Sequence, residues 1–470
     1  MKKILIILYC FFFILPCVSQ SEVDSITISN INLPILSIYT QDSIMPTCDY
    51  VFAPEGEFGV TTTNKTVIPG RIILSEGSNI LFDSGEYEKD KGGMTIKIRG
   101  NTSAYYSNKK PYKIKLEKKG DLFGRNDERY FDKNWILIDE GCDNMNTKVG
   151  LKLNELLGLG NWTPAYRYVN LFFNGHYHGV YMLLESIKRN TDCRINISKQ
   201  GYLIECNPYW WNEPIYFKSN MNKKYTFKYP DDDNITEEQI EYIKQQIDLF
   251  EESIIEGNYI DYIDIESFAL WVLAHDILGN SDSAGSNIFI TKYDNSSYTK
   301  LMMSTLWDFN GIFRTKDNWG KVHSDYFYYQ QLFQNNNPIF ASAYKYYWKK
   351  KGKSTISSLE NYLNEYLNSE EAQGINDSRV YEEARWNYPS EGVDNYITLA
   401  LNWLKEREDW LNDNIEQIDV PDYENYINNI KVVNYSYNNN TYTLKGQKIN
   451  DNKPLKPGIY IRNGHKFIVK

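Results

Sequence analysis

Asp282-Ser-Ala-Gly-Ser-Asn287 sets an acid five positions before an amide, and Trp307-Asp-Phe-Asn310 sets a second acid directly after an apolar, strand-like run. Two carboxylates and an amide oxygen are the minimum for holding magnesium and a nucleotide triphosphate beside a hydroxyl nucleophile. In that chemistry Asp282 accepts or orients the hydroxyl proton, while Asn287 and Asp308 offer oxygen to Mg2+ or Mn2+. Taken alone, an aspartate in a Gly/Ser/Asn loop is more often a turn or cap residue. Phosphates also need cations. Arg99, Lys110, Lys113 and Lys115 surround Gly100-Asn101-Thr102-Ser103, a loop whose single glycine fits neither a Walker A motif nor a kinase glycine-rich loop. Its backbone amides, its hydroxyls and Asn101 can still meet phosphate oxygens. Arg99 and Lys113 are the preferred contacts, against the plain alternative of a solvated lysine face. Glu185 closes a strand, where it can sit at a hinge near the nucleotide or merely cap and pair. Trp307 can stack on an adenine or be an ordinary buried tryptophan.

Stepping outward along the chain, the elements that must carry these groups are legible. Residues 25 to 98 are β-like, with Leu33–Tyr39 and Arg71–Leu74 set between Gly, Asp, Asn and Pro. Met94–Arg99 and Pro111–Glu117 alternate apolar and polar residues, which predicts two strands around the phosphate-loop candidate and puts Lys113 and Lys115 on one face. Trp135–Ile138 reads as a strand, and Asn146–Leu157 as a helix ending at Gly158. Asn174-Gly175 between two apolar runs predicts a tight hairpin ending at Glu185. Helices are expected over 236–256 and 264–279, then near 355–367, 379–386 and 394–415. The strand before Asp308 is expected over Lys300–Leu306. The order is β-rich, then mainly helical, an α+β chain with the outline of a kinase-like N-lobe and C-lobe.

The chain has 470 residues, enough for a large two-lobed domain, and its formal net charge of -10 argues against a nucleic-acid partner recruited by a positive field. Lys2-Lys3 ahead of the apolar run Ile4–Leu15, with a small-residue exit near Ser19, reads as a secretory signal over residues 1–20. Leu15-Pro16-Cys17 faintly resembles a lipobox that would acylate Cys17, although proline before the cysteine fits poorly. No later apolar run reaches membrane-spanning length, so no transmembrane helix is expected. Cys48, Cys142, Cys193 and Cys206 show no zinc spacing; a Cys193–Cys206 bridge and isolated buried thiols both stay open.

Six segments together resemble the spore-coat protein H (CotH) kinase family: Ile98-Arg-Gly-Asn-Thr-Ser103, Lys109-Lys-Pro-Tyr-Lys-Ile-Lys115, Trp135-Ile-Leu with Asp143, Phe173-Asn-Gly-His-Tyr-His-Gly-Val-Tyr181 with Glu185, Gly279-Asn-Ser-Asp282 with Asn287, and Trp307-Asp-Phe. Each is weak alone; their shared order across residues 30 to 415 is strong. The resemblance implies an atypical, two-lobed protein-kinase-like fold over about 21–420, with an N-lobe near 25–185 and a C-lobe near 186–420. It also implies a secreted or surface enzyme that uses ATP and a divalent metal to phosphorylate Ser or Thr of a protein substrate. In that context Asp282 and Asp308 read as a catalytic pair. Two positions depart from the pattern: Asn310 stands where a second acid is expected, and Lys148 where arginine is.

Residues 424–470 read as a small separate β appendage, with Gly458-Ile-Tyr and Asn463-Gly-His-Lys466 similar to the C-terminal sorting tails of Bacteroidetes surface and secreted proteins. Delivery to the outer surface and a plain β-domain are the two readings. Two other functional classes stay open: an inactive kinase-like adhesin or structural protein, and a carbohydrate-binding surface protein suggested by abundant aromatics.

Overall fold

The computed structural model describes residues 28–63, 66–280, 286–314 and 327–427, together with the backbone of four short strands farther on. The signal-like segment with Cys17 lies outside the described residues, and so does Asp282. The strands of the first part are β1 (Ile35–Thr40), β2 (Tyr50–Phe52), β3 (Val60–Thr62), β4 (Ile68–Glu76), β5 (Asn79–Asp83), β6 (Met94–Ile98), β7 (Tyr112–Gly120), β8 (Asp132–Ile138), β9 (Tyr166–Phe173) and β10 (His176–Glu185). Two helices interrupt them, α1 (Thr102–Tyr106) and α2 (Asn146–Leu157).

These strands close into a barrel in the order β1-β9-β10-β8-β7-β6-β4, with β4 returning to β1. β4 turns the corner: Ile68–Gly70 pair with β6, Ile73–Glu76 pair with β5, and the opposite edge pairs with β1. Closure removes the sheet edges that an open sheet would expose. Period-two alternation decides what fills it. Ile96, Ile98, Tyr112, Ile114, Leu116, Trp135 and Leu183 point inward and are buried. The hairpin β9–β10 turns at Asn174 and Gly175, with φ of 50° and 85°, the paired positive values that a two-residue turn requires.

A second sheet follows, built from β11 (Tyr202–Cys206), β12 (Tyr216–Lys218), β13 (Lys224–Tyr229), β14 (Ile288–Lys292) and β15 (Leu301–Met303) in the antiparallel order β12-β13-β11-β14-β15. Its first four strands were not expected. Between β13 and β14 run α3 (Glu237–Glu256), started by a reciprocal Thr236/Gln239 capping box, and α4 (Ile265–Leu278), capped by Asp264 and ended by left-handed Gly279. The remaining helices are α5 (Tyr329–Phe333), α6 (Ile339–Tyr347), α7 (Lys353–Tyr366), α8 (Glu370–Trp386) and α9 (Gly392–Glu416). Helix α4 is buried nearly all round, and with α2, α6, α7 and α9 it forms the larger core. The chain is therefore a mixed α/β fold, strand-rich first and helix-rich after. The strand before Asp308 is shorter than expected, and all four described cysteines are free, so Cys193 and Cys206 are not bridged. Among the described residues no helix is long and apolar enough to cross a membrane.

Candidate active site

Because Ile96, Ile98, Ile114 and Leu116 face into the barrel, Lys97, Lys113 and Lys115 must face out of its wall. Lys97 and Lys113 are direct cross-strand partners in the β6–β7 register. Like charges placed opposite each other destabilise a sheet, so this pair needs a reason. Arg99 follows on the same face. Burial first, and then the nearby charges of Lys97, Arg99, Lys228 and Lys115, lower the Lys113 pKa to about 8. Lys97 is lowered by burial, with Glu213 opposing and Lys115 adding. Neither lysine has a hydrogen-bond or ion-pair partner among the described residues.

Glu205 and Lys228 of the second sheet, and Glu213 in the loop between β11 and β12, act electrostatically on this wall. Lys228 on β13 pairs with Glu205 on β11 at 2.7 Å. Burial works against the Lys228 charge, but Glu205 and then Glu213 outweigh it and raise its pKa. Arg99 keeps some solvent contact, yet burial lowers its pKa, with Asp308, Asp139 and Glu205 acting in the opposite direction. That set of neighbours ties the barrel wall to the segment that carries Asp308.

The β14–β15 pair organises the metal-ligand candidates. Its register pairs Ile290 with Met303 and continues through Ser304 N–H donating to Phe289 O at 2.8 Å, so Asn287 and Trp307-Asp308 fall at one end of the pair. Both Asn287 and Asp308 adopt left-handed backbone, with φ of 58° and 62°. Such conformations cost non-glycine residues of order 1 kcal/mol and concentrate at functional sites. The Asp308 carbonyl accepts from Asn280 Nδ2 at 2.9 Å, and its Oδ1 accepts from the amide of exposed Asn310 at 3.3 Å.

Glu140, just past β8, is buried; its Oε1 accepts from the Thr147 amide at 2.7 Å. Burial pushes its pKa up to about 8 against those Thr147 hydrogen bonds, and Asp139 and Asp308 push the same way.

The structure thus puts Arg99 within electrostatic reach of Asp308, with Lys113 beside Arg99 on the same wall and Asn287 at the same end of the hairpin as Asp308. The other candidates have local work. Lys110 Nζ donates to Ala104 O at 2.6 Å, and Asn101 Oδ1 accepts from Thr61 Oγ1 at 2.7 Å, so both brace the loop around α1. Glu185 lies on the interior face of β10, accepting from Arg125 Nη2 at 2.9 Å and Arg194 Nη2 at 3.0 Å. It is not brought to the cation wall. The Trp307 side chain packs with Ile195, Ile197, Leu203 and Phe289. Lys148 is buried, bonded to Glu371 at 2.6 Å with the Tyr366 ring centroid 3.9 Å away.

Sequence reading missed Lys97, Lys228, Glu205, Glu213 and Asp139. Lys97 was recoverable, because the alternation that exposes Arg99 exposes it too. Lys228 and Glu205 were not, since their strands carry no period-two signal.

The chain matches the family described as CotH kinase protein over residues 96–411. No curated protein matches it. Among solved structures, a proinflammatory kinase CtkA from Helicobacter pylori is 11% identical, covering 63% of this chain and 90% of that one at a TM-score of 0.30. The HipA, HipB and operator DNA complex of the Shewanella oneidensis toxin–antitoxin system is 13% identical, with 62% of each chain covered at a TM-score of 0.26. The chain therefore spans about three-fifths of that Shewanella structure's matched chain, and at these TM-scores neither likeness carries an argument.

Proposed function

The chain belongs to the CotH kinase family, and from that premise we propose that it is an exported atypical protein kinase, two-lobed, transferring the ATP γ-phosphate to Ser or Thr of a protein substrate. The observation that carries the reading is the opposed, unpaired Lys97 and Lys113 beside Arg99, a cation wall that meets the Asp308 segment. Repulsion stored there is relieved by a polyanion, and the triphosphate of ATP supplies one. The donor set suits a divalent metal as well. Among the described residues no three His, Cys, Asp or Glu side chains gather as a metal site, and magnesium characteristically takes only one or two protein carboxylates and completes its shell with phosphate oxygens and water. Asp308 and Asn287 are the residues that would hold it. When bound, the metal neutralises charge on the phosphate oxygens.

Arg99, Lys97 and Lys113 bind the phosphates, with Lys228 kept charged behind them by Glu205. Asp282 orients the acceptor hydroxyl and takes its proton as the hydroxyl oxygen bonds to the γ-phosphorus and the bond to the ADP oxygen breaks. The N-terminal segment directs export, and the C-terminal strands serve delivery to the outer surface. A test is incubation of the mature protein with labelled ATP and Mg2+ or Mn2+, followed by mass spectrometry of the labelled group. Phosphoserine or phosphothreonine is expected. Metal-dependent ATP binding without transfer to any protein would leave a nucleotide-binding scaffold instead, and transfer of an adenylyl group would overturn the phosphotransferase reading.

A further inference from the structure

A glycine in mid-helix costs roughly 1 kcal/mol relative to alanine, so Gly150, inside α2, calls for a cause. The cause is Phe309. A Cβ built at Gly150 would lie 2.1 Å from the Phe309 ring, so the residue after Asp308 rests directly on the helix backbone. One turn farther along α2, fully buried Asn154 accepts from the Leu306 amide at 2.8 Å, two residues before Asp308. Its Nδ2 is held by Leu159 O, Trp162 O and Thr163 Oγ1 at 3.3, 3.0 and 2.8 Å, so the amide is fixed from both ends. From the other side Asn280, fully buried beyond the end of α4, donates to the Asp308 carbonyl. The Phe313 amide donates to Leu278 O at 2.9 Å, tying the far end of the segment to the same helix.

We propose that Gly150, Asn154 and Asn280 are positioning residues that impose the left-handed backbone of Asp308, with α2 acting as a strut from the barrel to the metal-holding acid. Helix α2 is suited to that part because it lies in the chain between β8 and β9, two barrel strands, while Val149, Leu151 and Leu153 are buried in the helical core. The wall that takes the phosphates and the acid that takes the metal are then set by one rigid element. Affinity for the metal and affinity for the nucleotide should consequently be coupled. The last two statements rest on the phosphotransferase reading; the positioning itself does not.

Gly150→Ala in the full mature chain is the test. Alanine favours the helix, so the melting temperature should not fall through helix propensity, while the added methyl displaces Phe309. Amide hydrogen exchange over residues 304–310 should accelerate, and the apparent Mg2+ affinity in the presence of ATP should weaken about tenfold or more, as for loss of a group that orients a metal ligand. Gly150→Ala/Phe309→Leu, which makes room for the methyl, should recover exchange protection and much of the Mg2+ affinity relative to Gly150→Ala. Unchanged exchange in folded Gly150→Ala, or no recovery in the double variant, overturns the positioning role. A wild-type chain that shows no Mg2+-dependent ATP binding defeats the phosphotransferase reading, and the exchange comparison still decides the positioning.

Discussion

Two charged regions of the barrel differ in one respect. At one end of the barrel, Asp121, Asp132 and Glu185 meet Arg125, Lys188 and Arg194: Arg125 bonds Asp121 and Glu185 at 2.9 Å, Lys188 bonds Asp132 at 2.6 Å, and Arg194 bonds Glu185 at 3.0 Å. Every charge there has an opposite. On the outer wall Lys97 faces Lys113, with Arg99 and Lys115 nearby and the Lys228–Glu205 ion pair across from them. A paired network serves the fold. Cations arrayed against one another cost stability, a cost that a bound polyanion would offset under the proposed function.

The largest effects are expected at the acids. Asp282→Ala should cut phosphoryl transfer by roughly 10² to 10⁴ while Mg2+ and ATP still bind, because an acid-base residue acts on the transition state. Asp308→Ala should lose transfer and metal-dependent ATP binding together. Affinity, transfer rate and melting temperature measured on both variants decide the matter. Full transfer by folded Asp282→Ala would end the kinase mechanism as assigned.

Next in size is Glu185→Ala. Removing it leaves the Arg125 and Arg194 guanidinium groups without this partner, and loss of one member of a buried pair costs about 3–5 kcal/mol. Denaturant unfolding should show that loss, with transfer per folded molecule unchanged. A variant of normal stability but without ATP binding would return Glu185 to the nucleotide. The same network predicts acid sensitivity. Burial would raise the Asp132 pKa, but Lys188 and Arg194 hold it below the usual carboxylate value. Its contribution is therefore full above the unfolded pKa, about 3.9, and is lost as pH falls through the lower folded value.

Lys113→Met should have the opposite character. Losing one cation from the wall should weaken ATP binding about tenfold, the scale of one charge-assisted hydrogen bond, while the ligand-free protein melts higher because the repulsion at Lys97 is relieved. The folded Lys113 pKa, about 8, lies below the unfolded value. Its cost is therefore full below pH 8 and fades as pH rises through the unfolded pKa, about 10.4, so ligand-free stability should gain on the alkaline side in wild type and not in Lys113→Met. ATP affinity should fall across the same rise. Calorimetry at three pH values reads both trends, and a wild type whose affinity ignores pH would remove Lys113 from the phosphate site.

How far the sequence went follows from what each signal measures. Asn174-Gly175 stated its turn outright, and helix α2 was readable from Asn146 to Leu157 because its apolar residues keep helical spacing up to Gly158. The alternation of Met94–Ile98 and Tyr112–Leu116 put Lys113 and Lys115 on one outer face, with Lys97 left unnamed, since exposure on one face and burial on the other is what alternation records. Tyr202–Cys206, in contrast, is buried on both faces and has no alternation to read. Barrel closure depends on β1 lying parallel to β9, more than 120 residues away, which no local pattern encodes. The Phe309–Gly150 contact was beyond reach for the same reason. For Glu185 a hinge position and mere pairing both stayed open, because its strand end was visible and Arg125 and Arg194, contributed by other segments, were not.

The smallest expected effect concerns where the catalytic part stops. Among the described residues, the C-terminal strands Thr441–Thr443, Lys448–Ile449, Gly458–Arg462 and His465–Val469 pair with one another and with no other strand. A chain ending after Ile427 should therefore fold and transfer phosphate as the full chain does. Ending it at Pro421 should be measurably worse. Tyr423 lies 5.5 Å from the Tyr346 ring and 6.1 Å from the Tyr347 ring, Tyr426 packs against the same core, and Lys350 pairs with Glu424 at 3.0 Å. The aromatic contacts are worth about 0.5–1.5 kcal/mol each beyond their buried area, and the exposed ion pair adds little. The shorter chain should thus melt a few degrees lower with unchanged transfer per folded molecule. Equal melting of the two truncations would show that residues 422–427 are only a linker, while aggregation of the longer one would mean that the C-terminal strands support the catalytic part.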